Sequence, residues 1–162
     1  GKVKILKTNI KKKYVNNLEN NLLLFFTGFS RKSTEILKEQ NDKTKINSQK
    51  MIQNLDYIKE LGIKSLESIR NGNFNEFCKI MNEHWIFKKE RSNKMSNLFI
   101  NQCYEHALSN GAEAGKVVGA GGGGFLMFYS KNKKKLQKAL KKKGLNEVDF
   151  KFDYEGTKVM VK

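Results

Sequence analysis

The segment "GAGGGG", Gly119–Gly124, sets five of the chain's 13 glycines in six consecutive residues, between "KVV" and the apolar run "FLMFYS". A flexible linker joins independent units and mixes glycine with serine. Here both flanks read as buried strands, so loose chain between them would cost conformational entropy for no gain. The run therefore calls for a tight connection, one that uses left-handed backbone or lets another body approach closely. Spacing alone leaves two roles open: a purely structural bend, or a ligand-facing loop whose N–H groups form an anion-binding concavity. It lacks the Lys-Ser/Thr of a P-loop, and no helix follows it as the dinucleotide fingerprint requires.

The flanking pattern extends over the whole chain. Leu22–Phe29, "LLLFFTGF", reads as a buried strand; Ser30 then offers a cap to a helix in "RKSTEILKEQ" that "NDKTK" breaks. From about Ile46 to Ile69, apolar residues recur at near-helical spacing, giving a long helix that ends near Asn71-Gly72. Phe74, Phe77, Cys78, Met81 and Trp85 form the stripe of a second helix, and a third runs from near Ser96 to Asn110-Gly111. The two strands around the glycines follow. Next comes a lysine-coated helix with Leu136, Ala139 and Leu140 inward, closed by Gly144. "VDFKFDY" alternates as a half-buried strand and "TKVMVK" is expected to pair back on it. This order predicts an α+β fold, an antiparallel sheet with helices packed on one face. Residues 1–21 form a leading segment, an edge strand through "KVKILKT" or an interdomain connection; residues 22–162 form the domain proper.

The net charge is +16, from 32 Lys+Arg against 16 Asp+Glu, which raises nucleic acid as a partner. Only Arg31, Arg70 and Arg91 are arginines, whereas base and phosphate recognition favours the arginine fork. Solvated lysines are the simpler reading, and specific nucleic-acid binding is not expected. Cys78 and Cys103 read as small buried hydrophobes, not as a disulfide or metal framework. With no bilayer-length apolar run and no signal peptide, the chain is expected to be cytoplasmic, with no membrane partner.

"GAEAGKVVGAGGGGFLMFYS" resembles the third conserved motif of the GHMP small-molecule kinases. "LLLFFTGFSRKSTEIL", "HWIFKKERSNKMSN" and "VDFKFDYEGTKVMV" are similar to the sugar 1-kinase branch around D-glycero-D-manno-heptose 7-phosphate kinase. The resemblance runs from about Leu22 to the end and implies a ferredoxin-like C-terminal domain. It also implies an N-terminal half carrying the ATP-phosphate loop and the acidic residues for Mg²⁺. No such segment is present here, and the first methionine is Met51, so Gly1 is not read as a natural start. ATP, Mg²⁺ and a sugar phosphate are thus expected of the complete enzyme, with the N-terminal half of the same polypeptide as partner. This chain alone is expected to be inactive, with no catalytic or metal-binding residue of its own.

Within that resemblance, Gly119, Ala120, Gly121, Gly122, Gly123 and Gly124 form the loop that abuts the ATP-phosphate loop. Thr27, Gly28, Ser30 and Arg31, where a strand gives way to a helix, are candidates to bind the sugar or its distal phosphate. An ordinary helix cap with a solvated arginine is the plain alternative. Lys88 and Lys89 would face the acceptor sugar; otherwise they are simply exposed lysines after an apolar helix face. Trp85 reads as core, and His84 and His106 as surface or capping residues. The implied reaction is phosphorylation of the anomeric hydroxyl of heptose 7-phosphate, on the way to surface polysaccharide. A fucose-type or other sugar 1-kinase shares the pattern. The rival class is a basic, non-enzymatic binding module for nucleic acid or another polyanion.

Overall fold

The computed structural model describes residues 8–29, 33–46 and 49–159. Along the chain run α1 (Lys12–Asn21), β1 (Leu22–Phe26), α2 (Ser33–Lys45), α3 (Gln49–Asn71), α4 (Phe74–Lys89) and α5 (Leu98–Ser109). β2 (Ala114–Val118), β3 (Phe125–Tyr129), α6 (Lys133–Lys142) and β4 (Asn146–Val148) complete it. The strands pair in the order β2-β3-β1-β4, each neighbouring pair antiparallel. β1 therefore runs parallel to β2 with β3 between them, and β3 parallel to β4 with β1 between them. These two split crossovers are the ferredoxin-like arrangement that the resemblance implies, with α2–α5 filling the first connection.

Strand alternation sorts the core. Leu23 and Phe25 of β1, Val117 of β2 and Leu126 and Phe128 of β3 share one face. Onto it pack Ile100, Cys103 and Ala107 of α5 and Leu136 and Leu140 of α6. Trp85, fully buried, joins this cluster, as its place in the α4 stripe predicts. On the opposite face, Leu22, Ala114 and Tyr129 meet Leu18 of α1 and Cys78 and Met81 of α4. That second cluster covers only the end of the sheet remote from the glycine run, so the face is open beyond Lys116 and Met127. Both cysteines are buried and free.

The helix caps explain the boundaries. The side chains of Asn73, Asn97 and Asn132 accept from the N–H three residues on, at Glu76, Ile100 and Lys135. Gly72, Gly111 and Gly144 follow α3, α5 and α6 with positive φ.

Four expectations are corrected. β1 stops at Phe26, because Thr27 turns aside to bond the glycine loop. α2 continues through "NDKTK": Lys43 pairs with Glu39 one turn back and donates to the Arg91 carbonyl, and Thr44 bonds the Gln40 carbonyl. "VDFKFDY" contributes only Val148 to a strand; Phe150 and Phe152 leave the sheet and pack onto the second cluster, held by the Phe152 N–H donating to Glu19. Residues 157–159 form no strand, and the rest of that expected hairpin lies outside the described residues. Ahead of β1 stands a helix, α1; the proposed edge strand, apart from Thr8, also lies outside the described residues.

Candidate functional site

The connection from β2 to β3 is held rigidly. Gly122 N–H donates to the Met95 carbonyl at 2.7 Å and Gly124 N–H to the Phe29 carbonyl at 2.8 Å. Thr27 closes the circuit, its N–H and its hydroxyl each reaching the Gly124 carbonyl at 2.9 Å. The backbone takes positive φ at Gly119, Gly121, Gly122 and Gly124. Gly123 answers to a second constraint: a β-carbon there would lie 2.7 Å from the Phe29 carbonyl oxygen, a backbone atom with no freedom to move aside. The segment is a fixed loop. Among the described residues the N–H groups of Ala120, Gly121 and Gly123 have no partner.

Beside the loop lies an edge strand, β2, with an unusual cover. An antiparallel edge leaves alternate N–H and C=O groups unpaired. α4 runs along this edge and supplies side chains instead of a strand. The Asn82 amide donates to the Glu113 carbonyl at 3.0 Å and accepts from Gly115 N–H at 3.0 Å. Two turns further, Lys88 Nζ donates to the Val117 carbonyl at 3.3 Å and to the Gly119 carbonyl at 2.5 Å. Lys88 is only 8 % exposed, so the reading of it as a plain solvated lysine is overturned. Its place in the last turn of α4 suits a cation, and the ammonium grips the first residue of the loop.

Lys88 has basic company. A cavity of about 410 Å³ opens where α4 and β2 meet, lined among others by His84, Lys88, Arg91, Lys116 and Gly119. Burial pushes the Lys88 ammonium down to about 8, with Lys116 and Arg91 adding repulsion. Burial also lowers Lys116 and Arg91. His84 is pushed down to about 4 by burial, then by Lys116, Lys88 and Arg91, so the ring is neutral at pH 7. It is half-buried and its Nδ1 has no partner, which corrects its reading as a surface or capping residue. Arg91 Nε donates to Asn54 at 2.9 Å, yet its buried Nη2 has no partner. None of the ion pairs among the described residues involves Lys88, Arg91 or Lys116.

The other expected residues are dispersed. Thr27 is buried as a strut of the loop, and Gly28 is exposed with positive φ. Ser30 and Arg31 lie outside the described residues. Lys89 turns away from the cavity, its Nζ 5.7 Å from the centre of the Trp85 ring. Arg91 and Lys116 were missed by sequence reading: a lysine within the short strand "AGKVV" was the available clue.

The family model for the C-terminal part of GHMP kinases matches residues 65–146. The chain belongs to that family. The chain is 35% identical over 151 residues to the D-glycero-alpha-D-manno-heptose 7-phosphate kinase of Campylobacter jejuni, covering 92% of this chain and 44% of that protein. It is 30% identical over 125 residues to the bifunctional fucokinase/GDP-fucose pyrophosphorylase of Arabidopsis thaliana, covering 76% of this chain and 12% of the relative. The crystal structure of a D-glycero-D-manno-heptose 1-phosphate kinase from Bacteroides thetaiotaomicron superposes with a TM-score of 0.60 at 26% identity, over 91% of this chain and 37% of that one. The chain thus spans less than half the length of these relatives. The two heptose kinases carry that activity in their names, and the plant relative is named as a fucokinase joined to a pyrophosphorylase. No helix among the described residues is long and apolar enough to cross a membrane.

Proposed function

We propose that the chain is the acceptor-side and phosphate-loop-supporting part of an ATP-dependent sugar kinase. The complete enzyme would phosphorylate the anomeric hydroxyl of D-glycero-D-manno-heptose 7-phosphate. The observation that carries this reading is the glycine loop: a fixed backbone whose Ala120, Gly121 and Gly123 N–H groups have no partner among the described residues, beside a cationic cavity. Similarity to a heptose 7-phosphate kinase supports the choice of sugar; similarity to a fucokinase keeps a fucose-type acceptor as the second reading.

Phosphoryl transfer depends mostly on positioning and on charge stabilisation. ATP would supply the phosphoryl group. In this chain the loop N–H groups bind and orient phosphate oxygens, while Lys88, Thr27 and the Met95 and Phe29 carbonyls fix the loop that presents them. Mg²⁺ does not fit the described residues, among which no three His, Cys, Asp or Glu side chains gather to hold a metal ion. The general base and the metal ligands are assigned to the N-terminal half of the same polypeptide, and this chain alone is assigned no turnover.

The test is the complete polypeptide with ATP and a panel of heptose 7-phosphate, heptose and fucose, with the product identified by phosphorus NMR. A 1-phosphate on heptose 7-phosphate is expected. Gly122→Val, forced to adopt a positive φ, should lower kcat/KM for ATP by about a hundredfold while the circular dichroism spectrum is kept. No turnover on any sugar or sugar phosphate would overturn the assignment.

A further inference from the structure

The cavity between α4 and β2 joins three cations that the fold brings together at a cost. Lys88 and Arg91 come from the end of α4 and the turn after it, Lys116 from the opposite side of the cavity, on the open face of β2. No carboxylate neutralises any of them among the described residues. Like charges held together in partial burial are unfavourable unless something answers them. Lys88 has an internal role, tying Val117 and Gly119. Lys116 has none: its ammonium makes no hydrogen bond among the described residues, although burial depresses its pKa. The Arg91 guanidinium spends Nε on Asn54 and leaves the buried Nη2 unpaired. Neutral His84 adds a ring nitrogen, also unpaired, that can donate or accept.

Two other cavities among the described residues lack this combination. The cavity between α2 and α3 is about 250 Å³ and mixes Glu90 with Lys43, Lys50 and Arg91. The groove beside α6 sets Glu147 among Lys138 and Lys141.

We propose that the cavity between α4 and β2 is a phosphate-binding site that takes the phosphomonoester already carried by the acceptor sugar, with Arg91 and Lys116 as its binding groups. Lys88 is a positioning residue, tying this site to the first residue of the glycine loop. The assignment rests on the kinase reading above and deepens it: the cavity selects phosphorylated over unphosphorylated acceptors. A dianion matches the charge that Arg91 and Lys116 leave unanswered, and the arginine fork offers it paired donors. At about 410 Å³ the cavity has room for a phosphate and part of a sugar. The nucleotide's phosphates are the other source of the same chemistry, and they are placed instead on the loop N–H groups.

The test compares the complete kinase with its Lys116→Gln and Arg91→Lys variants on heptose 7-phosphate and on heptose. Lys116→Gln should raise KM for the phosphorylated acceptor about tenfold or more, leave KM for ATP within about twofold, and erase most of the preference for the phosphorylated sugar. Arg91→Lys keeps the charge but loses the fork, and should fall between wild type and Lys116→Gln. A rise in KM for ATP instead would assign the site to the nucleotide and overturn the proposal, as would unchanged constants in a variant with unaltered melting. Inorganic phosphate gives a second measurement that needs no turnover. It should raise the melting temperature of the 162-residue chain above that in chloride of equal ionic strength, and Lys116→Gln should abolish the rise. Equal rises in both proteins would overturn the site. Should the complete wild-type protein phosphorylate no sugar, the kinase reading and the acceptor assignment fall together, while phosphate protection lost with Lys116 would still mark an anion site.

Discussion

Two groups of cations in this molecule look alike in the sequence and differ in the fold. On α6 and just after it, Lys134, Lys135, Lys138, Lys141, Lys142 and Lys143 are exposed, and the helix holds to the core only through Leu136, Ala139 and Leu140. Beside β2, Lys88 is buried and Lys116 and Arg91 are half-buried, and none of them joins an ion pair among the described residues. An exposed lysine keeps its water and its rotamers, so its charge contributes to solubility and little else. A desolvated lysine changes its own titration and that of its neighbours. A net charge of +16 is therefore mostly uninformative, and a small minority of the charges carries the chemistry.

Removing the most deeply placed cation should break the contrast most visibly. Lys88→Met in the complete enzyme frees the Val117 and Gly119 carbonyls and releases the first residue of the loop, and kcat/KM should fall about a hundredfold. Steady-state kinetics beside a thermal melt separates this loss from unfolding.

Titration sharpens the contrast further. The native Lys88 pKa, about 8, lies below its unfolded value, so above pH 8 the unfolded chain holds a proton that the native one has released. Stability from this group therefore rises with pH between about 8 and 10.5, and wild type should gain up to about 3 kcal/mol on Lys88→Met across that window. Denaturant titrations of both proteins at matched pH measure the difference, in which the groups remote from this cluster cancel, while Lys116 and Arg91, which repel Lys88, contribute to it. A flat difference would mean that the ammonium is better solvated than the fold implies.

The smallest effect belongs to α6. Lys134→Gln, Lys138→Gln and Lys141→Gln should each shift stability by less than about 0.5 kcal/mol and leave kcat/KM within about twofold.

Much of the fold was legible because it rests on local periodicity. The α4 stripe, the caps at the ends of α3 and α5, and the apolar runs of β1 and β3 all read directly from residue spacing. α1 was not legible: "KKYVNNLENN" is rich in poor helix formers, and it is packing, with Leu18 buried and Tyr14 edge-on to Phe74, that recruits it. "VDFKFDY" has the alternation of a strand, yet β1 pairs with only three residues of β4, and the phenylalanines find better burial beside Tyr129. The glycine loop announced itself by composition. The cationic cavity could not, since Lys88 and Lys116 come together only when α4 lies along β2. Their approach is a tertiary event, and neither residue's immediate neighbours encode it.

The cover over β2 has a consequence of another kind. A bare strand edge is a template on which a second chain can add its own strand, the first step of many aggregates. Asn82 and Lys88 occupy the Glu113, Val117 and Gly119 carbonyls and the Gly115 N–H, and α4 lies along that margin, so the edge is a poor template for a further strand. At the opposite margin β4 is three residues long and carries Glu147, a poor template by both length and charge. The same lysine that steadies the glycine loop thus helps to keep the sheet from recruiting its neighbours.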